Sequence, residues 1–150
     1  LDLPAPPDYV THLTPTCMEV VSEKTGVSMM DLFLIYKVEG GSNGIHVRNK
    51  SNGTYDYGFF QINTVNLKYL KDTFNLSHDE IRYNACLNTL AAALLIDRRK
   101  REYKNSDLDY FGVLATYHSK TPKYRNRYRN KLIQKYKTYF GDKKNGAGKK

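Results

Sequence analysis

Glu39 and Asp56, 17 positions apart, are the residues whose type and placing suit bond-breaking chemistry. Glu39 ends the run LFLIYKVE just before Gly40-Gly41, and Leu32, Ile35 and Tyr36 precede it by seven, four and three positions. On a helix those spacings set its side chain near the apolar face. The C-terminal end of a helix carries partial negative charge, and partial burial penalises a carboxylate. Both effects keep such an acid protonated nearer neutral pH, as a general acid requires. A solvated glutamate at a frayed helix end is the plain alternative. Downstream, NGTYDYGFFQIN brings Asp56, Tyr57, Phe60, Gln61 and Asn63 together. Gln61 lies between Phe60 and Ile62, so its amide can face a ligand while they pack inward, or face water at a strand edge. Phe59 and Phe60 read as core, with one of them able to offer a face to a ligand as well. Asn63 either touches ligand or caps the chain that follows. Asp56 also suits a hairpin, where Asp bonds nearby backbone amides.

These residues need elements to hold them. Thr14-Pro15 supplies an N-cap and a preset first turn for a helix over 16–25, stopped at Gly26. Ser28 with Asp31 three later opens a second helix, which Gly40-Gly41 stops. HVRNKSNGTYDYG, with its Asn-Gly turn signal, reads as a small hairpin. VNLKYLKDTFNLS suits a short helix or two and a loop, and Ser77 with Glu80 caps another turn. ACLNTLAAALLIDRRK is apolar on almost every face over its first three turns, the pattern of a central buried helix. Ser106 with Asp109 opens DLDYFGVLATYHS. The last helix runs from Pro122 to near Gly141, with Tyr124, Tyr128, Leu132 and Tyr136 spaced by four as a packing stripe. The expected class is mainly α: one helical domain over 14–141 with a small β-hairpin, an N-terminal extension over 1–13 and a disordered basic tail over 142–150.

At 150 residues the chain can bury a real core as one domain. Its longest apolar run, around Leu90 to Ile96, falls short of the roughly 18 residues of a membrane span. The opening LDLPAPPDYV resembles the start of a mature or a trimmed chain, and a removed signal peptide is expected only as part of the periplasmic location implied below. The formal charge of +9 is uneven: from Arg98 onward 17 Lys or Arg face 4 acids, while in residues 1–97 7 face 11. A basic half suits nucleic acid, anionic lipid, an acidic polymer or simply a solvated helix face. His12, His46, His78 and His118 have no ligand spacing and no Gly-rich loop cradles a phosphate, so neither metal nor cofactor is expected. Two cysteines, Cys17 and Cys86, are too few for a Cys-ligated zinc. They are either buried thiols or a disulfide, which would contribute on the order of 4 kcal/mol and need an oxidising compartment.

EGGSNG followed by NGTYDYGFFQIN resembles the active-site segment of lysozyme-like lytic transglycosylases, where a Glu ends a helix and a G-hydrophobic-hydrophobic-Q-hydrophobic motif follows. The chain is similar above all to the small members serving type IV secretion and conjugation machines, which carry a Tyr-His-Ser-x-Thr-Pro segment like YHSKTP at 117–122. The placing of Cys17 and Cys86 is similar too, and the resemblance, over roughly residues 15–140, implies that they are joined. It implies an α+β lysozyme-like fold with the hairpin beside an active-site cleft. It makes Glu39 the catalytic acid and base, puts Gln61 and Asn63 on the cleft floor, and sets Tyr117 close to the glutamate. Tyr57, Phe60 and His118 complete the candidate substrate contacts. Two departures stand out. Gly40 replaces a Ser found in many relatives, and His118 replaces the Asn that commonly follows the cleft tyrosine. A helix-end histidine with local hydrogen bonds is the plainer reading of His118. The implied partners are peptidoglycan strands and secretion-system subunits, the implied location is the periplasm and the implied state a monomer.

DYGFFQIN at this distance from Glu39 also resembles the animal-type lysozymes, whose aspartate acts from the opposite side of the sugar. The chain lacks their many cysteines, and YHSKTP favours the transglycosylase side. Hydrolysis by Glu39 with Asp56 is therefore the alternative chemistry. A weakly active glycan-binding scaffold of a secretion system is a second alternative. A nucleic-acid binder built on the basic half is a third. It lacks strand-reader motifs and any zinc or dimer signal, so no nucleic-acid partner is expected.

Overall fold

The computed structural model describes residues 15–42, 46–50 and 52–141. The expected extension over 1–13, the Thr14 cap and the tail over 142–150 lie outside the described residues. The chain forms two compact units, Leu1–Leu95 and Ile96–Lys150.

In the first unit α1 (Pro15–Thr25) packs on α2 (Met29–Glu39). Ser28 caps α2 as its sequence suggests, its Oγ accepting from the Asp31 N–H at 3.1 Å. That satisfies one of the donors that a helix start leaves unpaired. At the other end Gly40 takes φ 64° and its N–H donates to Tyr36 O at 2.9 Å. This left-handed cap disfavours a Cβ, and it fixes Glu39 as the last helical residue. Leu32, Leu34 and Ile35 of α2 are fully buried. Each contributes about 2 kcal/mol relative to exposure.

Strands β1 (His46–Arg48), β2 (Tyr55–Tyr57) and β3 (Ile62–Asn63) form an antiparallel sheet in the order β1-β2-β3. The hairpin read from the sequence thus gains a third strand. The turn from Gly58 to Gln61 reverses the chain so that Ile62 pairs with Tyr57 and Asn63 with Asp56. A hairpin alone is marginal in water, and the added strand brings the buried Ile62 into the ladder. Because side chains alternate along a strand, Val47, Asp56 and Asn63 share one face while His46, Arg48, Tyr55 and Tyr57 share the other. A 3-10 turn (Thr64–Asn66), α3 (Leu67–Phe74) and α4 (His78–Tyr83) follow. Ser77 and Glu80 form the expected reciprocal capping box on α4.

Helix α5 (Ala85–Glu102) begins in this unit, with Ala91, Ala92 and Ala93 fully buried. A disulfide between Cys17 and Cys86, 69 residues apart, ties α1 to its first turn across a Cα separation of 5.6 Å. Closing a loop of that length in the unfolded chain contributes about 4 kcal/mol in the chain-entropy account.

The second unit holds the end of α5, then α6 (Tyr110–Ala115), α7 (Pro122–Tyr136) and a π turn (Lys137–Gly141). Helices α6 and α7 pack together. Ser106 was the expected start of α6, yet Asp109 is its N-cap, Oδ1 accepting from the Gly112 N–H at 2.8 Å. Ser106 instead closes a turn, its hydroxyl donating to Tyr103 O at 2.8 Å. Pro122 takes the first turn of α7, as expected. Tyr128 and Leu132 are buried, but Tyr124 is 47% exposed. The stripe therefore fails as packing at its first member, where Lys123 and Arg127 lie over the ring instead.

Arg129 Nε donates to both oxygens of Asp109, at 3.0 and 3.1 Å, and Nη2 adds a further bond. These bonds, helped by the Gly112 N–H, hold the Asp109 carboxyl down at about 2, below its ordinary 3.8. A depressed folded-state value contributes stability above the unfolded value and loses it as pH falls through the folded one. The pair is half-exposed, so its contribution stays under about 1 kcal/mol. Thermal midpoints of wild type should decline more steeply than those of Arg129→Leu as pH drops from roughly 4 to 2. Parallel curves for the two proteins would mean that the pair adds nothing.

Candidate active site

Glu39 leaves α2 half-buried, one residue before the Gly40 cap. Two residues on, Gly41 rests against the turn that joins β2 to β3. A Cβ on Gly41 would overlap Gly58 O and lie 2.8 Å from Gln61 Nε2 and 2.9 Å from Phe59 O. Only glycine allows so close an approach. One helical turn before Gly40, Tyr36 packs its ring on Phe59 and Phe60, with centroids 5.9 and 6.0 Å apart. Ring packing before the acid and backbone nesting after it thus pin the chain around Glu39 to this turn.

Gln61 is built into the same turn. Its backbone N–H donates to Gly58 O at 3.1 Å, and its side-chain Nε2 donates to the same oxygen at 2.9 Å. The residue adopts φ 52°, a left-handed conformation that costs a residue with a Cβ about 1 kcal/mol. The two bonds into Gly58 O offset that cost. A carbonyl can only accept, so this bond fixes the amide with nitrogen on the turn and leaves Oε1 as an acceptor for another donor.

The turn rests on Asn88 of α5, which is 1% exposed. Its Oδ1 accepts from the Phe60 N–H at 2.8 Å, and its Nδ2 donates to Tyr57 O at 3.0 Å and Ile81 O at 2.8 Å. A Cβ on Gly58 would run into this amide. Asn88 stands out only faintly in the sequence. Its signal is a single amide inside the apolar ACLNTLAAALL, where a buried polar group without partners costs about 1–3 kcal/mol.

Asp56 lies across the ladder from Asn63. Asn63 Nδ2 donates to Asp56 Oδ1 at 2.8 Å, and Asn49 Nδ2 donates to Oδ2 at 3.3 Å. Both amides also donate to Thr54 Oγ1, at 3.0 and 3.1 Å, while that hydroxyl donates to Asn52 Oδ1 at 2.7 Å. The Asp56 carboxyl is thus fixed by side-chain amides rather than by the backbone groups expected in a hairpin. Asn63 also caps the 3-10 turn, its Oδ1 accepting from the Val65 N–H at 3.0 Å. The capping alternative for Asn63 is therefore realised. Neither Asn49 nor Thr54 carries a local sequence signal, since only the folded loop brings them to Asp56.

Other candidates fall elsewhere. Tyr57 is 7% exposed, lies on the sheet face opposite Asp56, and meets His78 edge-on at 4.6 Å. Phe60 is 0% exposed, and its ring packs in the core beside Tyr36. Tyr117 and His118 belong to the second unit, in the turn that ends α6. The half-buried Tyr117 donates its backbone N–H to Leu114 O at 3.1 Å. His118 donates its own to Ala115 O at 3.1 Å and stacks on the buried Tyr128 at 4.7 Å, with the rings 9° apart.

Residues 16–140 match the family model of the transglycosylase SLT domain, and the chain belongs to that family. No curated protein matches it. Members of the family are lytic transglycosylases, and membership supports a peptidoglycan-acting function of that type. Among the described residues no helix is long and apolar enough to cross a membrane. The disulfide and a wall-acting family are compatible with an extracytoplasmic location.

Two variants test the support of the site. Gly41→Ala should lower peptidoglycan cleavage at least tenfold at a stability cost of about 1–3 kcal/mol, because the added methyl pushes the turn away. Wild-type turnover would show that the close approach does not position the acid. Asn88→Ala should cost about 3 kcal/mol or more in urea unfolding, since it strands three main-chain groups. A loss below about 1 kcal/mol would mean that water replaces the amide.

Proposed function

We propose that this member of the transglycosylase SLT family cleaves the β-1,4 bond between N-acetylmuramic acid and N-acetylglucosamine, with Glu39 as acid and then base, within a working domain spanning 14–141. In the first half Glu39 donates its proton to the bridging oxygen. The glycosidic C–O bond breaks, N-acetylglucosamine leaves as an alcohol, and positive charge builds at the muramic acid C1. In the second half the Glu39 carboxylate takes the proton from that sugar's own 6-hydroxyl, whose oxygen bonds to C1. The product is a 1,6-anhydro sugar, and Glu39 ends protonated again. A tethered nucleophile gains from high effective concentration. In this reading Asp56 and Tyr117 stabilise the positive charge, while Gln61 offers its Oε1 to the substrate. Asn63 acts through Asp56.

The observation that carries the proposal is Glu39 at the end of α2, with Gly41 nested on the Gly58–Gln61 turn, inside a chain whose family cuts this polymer. YHSKTP and the placing of the cysteine pair support service to a secretion or conjugation machine, opening the wall locally in the periplasm with machine subunits as partners. A second reading, hydrolysis, draws on Asp56. A carboxyl whose two oxygens each accept an amide N–H is held ready to face a charged sugar.

Glu39→Gln should reduce release of soluble fragments from purified sacculi at least a thousandfold while the protein stays folded. Mass spectrometry of the wild-type digest should give anhydro products, with Asp56→Asn slowed but making the same species. Products heavier by one water would put hydrolysis in place of transglycosylation. Full activity of Glu39→Gln would remove Glu39 from the chemistry.

A further inference from the structure

The second unit carries a charge pattern that neither its fold nor the proposed chemistry uses. Residues 110–141 contain eight Lys or Arg and no Asp or Glu. On α7, Lys123, Arg127, Lys131 and Lys135 recur every four residues and so line one side of the helix, over roughly 18 Å of its axis. The first three are exposed and the fourth half-buried. None has an acidic partner among the described residues. Like charges at this spacing oppose helix formation.

The unit's other cations show what pairing for stability looks like. Arg129 grips Asp109, Lys120 meets Glu102 at 2.7 Å, and Arg101 meets Asp97 at 3.0 Å. Those pairs engage three of the four acids in residues 96–141. The row on α7 is left over from that matching. At its head the exposed Tyr124 carries Lys123 Nζ and Arg127 Cζ at 5.8 and 5.9 Å from its ring centre. The surface thus combines several positive charges with an aromatic face. Tyr and Arg are residue types enriched where binding surfaces make their main contacts.

We propose that this face of α7 docks the peptide stems of peptidoglycan, with Lys123, Arg127 and Lys131 meeting their carboxylates and Tyr124 lying on a sugar or side-chain face. The inference rests on the peptidoglycan-acting reading, which places a polymer rich in free carboxylates before the protein. It follows that the protein distinguishes stem-bearing glycan from bare glycan by charge, independently of the bond it cuts.

The test measures binding, so that it stands apart from cleavage. The full chain carrying Glu39→Gln, and the same chain with K123Q, R127Q and K131Q added, are co-sedimented on ice with intact sacculi and with sacculi stripped of stems by an amidase. Circular dichroism checks the fold, and a K123R/K131R version keeps the charge. The triple variant should need at least tenfold more intact sacculi for half-maximal binding at low salt, with the difference vanishing as salt rises. Both proteins should bind stripped sacculi alike, and K123R/K131R should bind as the parent does. Equal binding of parent and triple variant to intact sacculi overturns the proposal, as does an equal loss on stripped sacculi. A loss confined to vesicles of anionic phospholipid or to duplex DNA assigns the face to that partner instead and also overturns it. If wild type fails to cut sacculi while the charge-dependent binding persists, only the catalytic reading falls.

Discussion

Two stretches of backbone meet where neither leaves room for a side chain, and the arrangement around Glu39 depends on that contact. Gly41 lies against the carbonyls of Gly58 and Phe59, and Gly58 lies against the amide of Asn88. The contact is held by polar satisfaction as much as by fit. A turn pressed against a buried helix has carbonyls and N–H groups that water cannot reach, and each must find a partner. Asn88 supplies partners to Phe60 of the turn, to Tyr57 at the end of β2 and to Ile81 of α4 through one side chain. The acid therefore hangs from the body of the first unit rather than from a free loop. It sits at a helix end whose position is set on both sides.

The sheet does for Asp56 what the turn does for Glu39. Its face is decided by register, since a slip of one residue would carry every side chain of β2 to the opposite side. Pairing with Asn63 places the amide directly across from the carboxyl, where cross-strand side chains come within bonding reach. Asn49, Asn63 and Thr54 then form a closed set of donors and acceptors around it. Such networks are strongest when every member is satisfied. The same alternation explains why Tyr57, adjacent in sequence, turns away towards His78.

What the sequence revealed was mostly local. The Ser28 cap, the Gly40 stop, the Ser77–Glu80 box and Pro122 at the head of α7 each act within four residues, and each is found in place. What it hid was chosen by distant partners. Ser106 and Asp109 both look like caps, and the bidentate grip of Arg129 accompanies the one used, 20 residues away. The third strand needed the turn that Asn88 secures from 28 residues downstream of Phe60. Phe60 reads as core from its apolar neighbours, and its ring is fully buried. The cysteine pair was open on residue count and became definite only through the placing shared with a known family.

The last helix separates stability from use in a way the first unit does not. Its 15 residues include six cations and no acid, and a helix of that length is marginal in water even when its charges cooperate. It stands because Tyr128 and Leu132 are buried, because α6 packs along it, and because Arg129 is clamped to the cap of α6. Those contacts occupy one side of α7 and supply its order. The exposed Lys123, Arg127 and Lys131 add like-charge cost to the helix without taking part in those contacts. The partner proposed for them, a polymer bearing many weak, spaced carboxylates, suits a surface of flexible, spaced cations better than a single tight anion would.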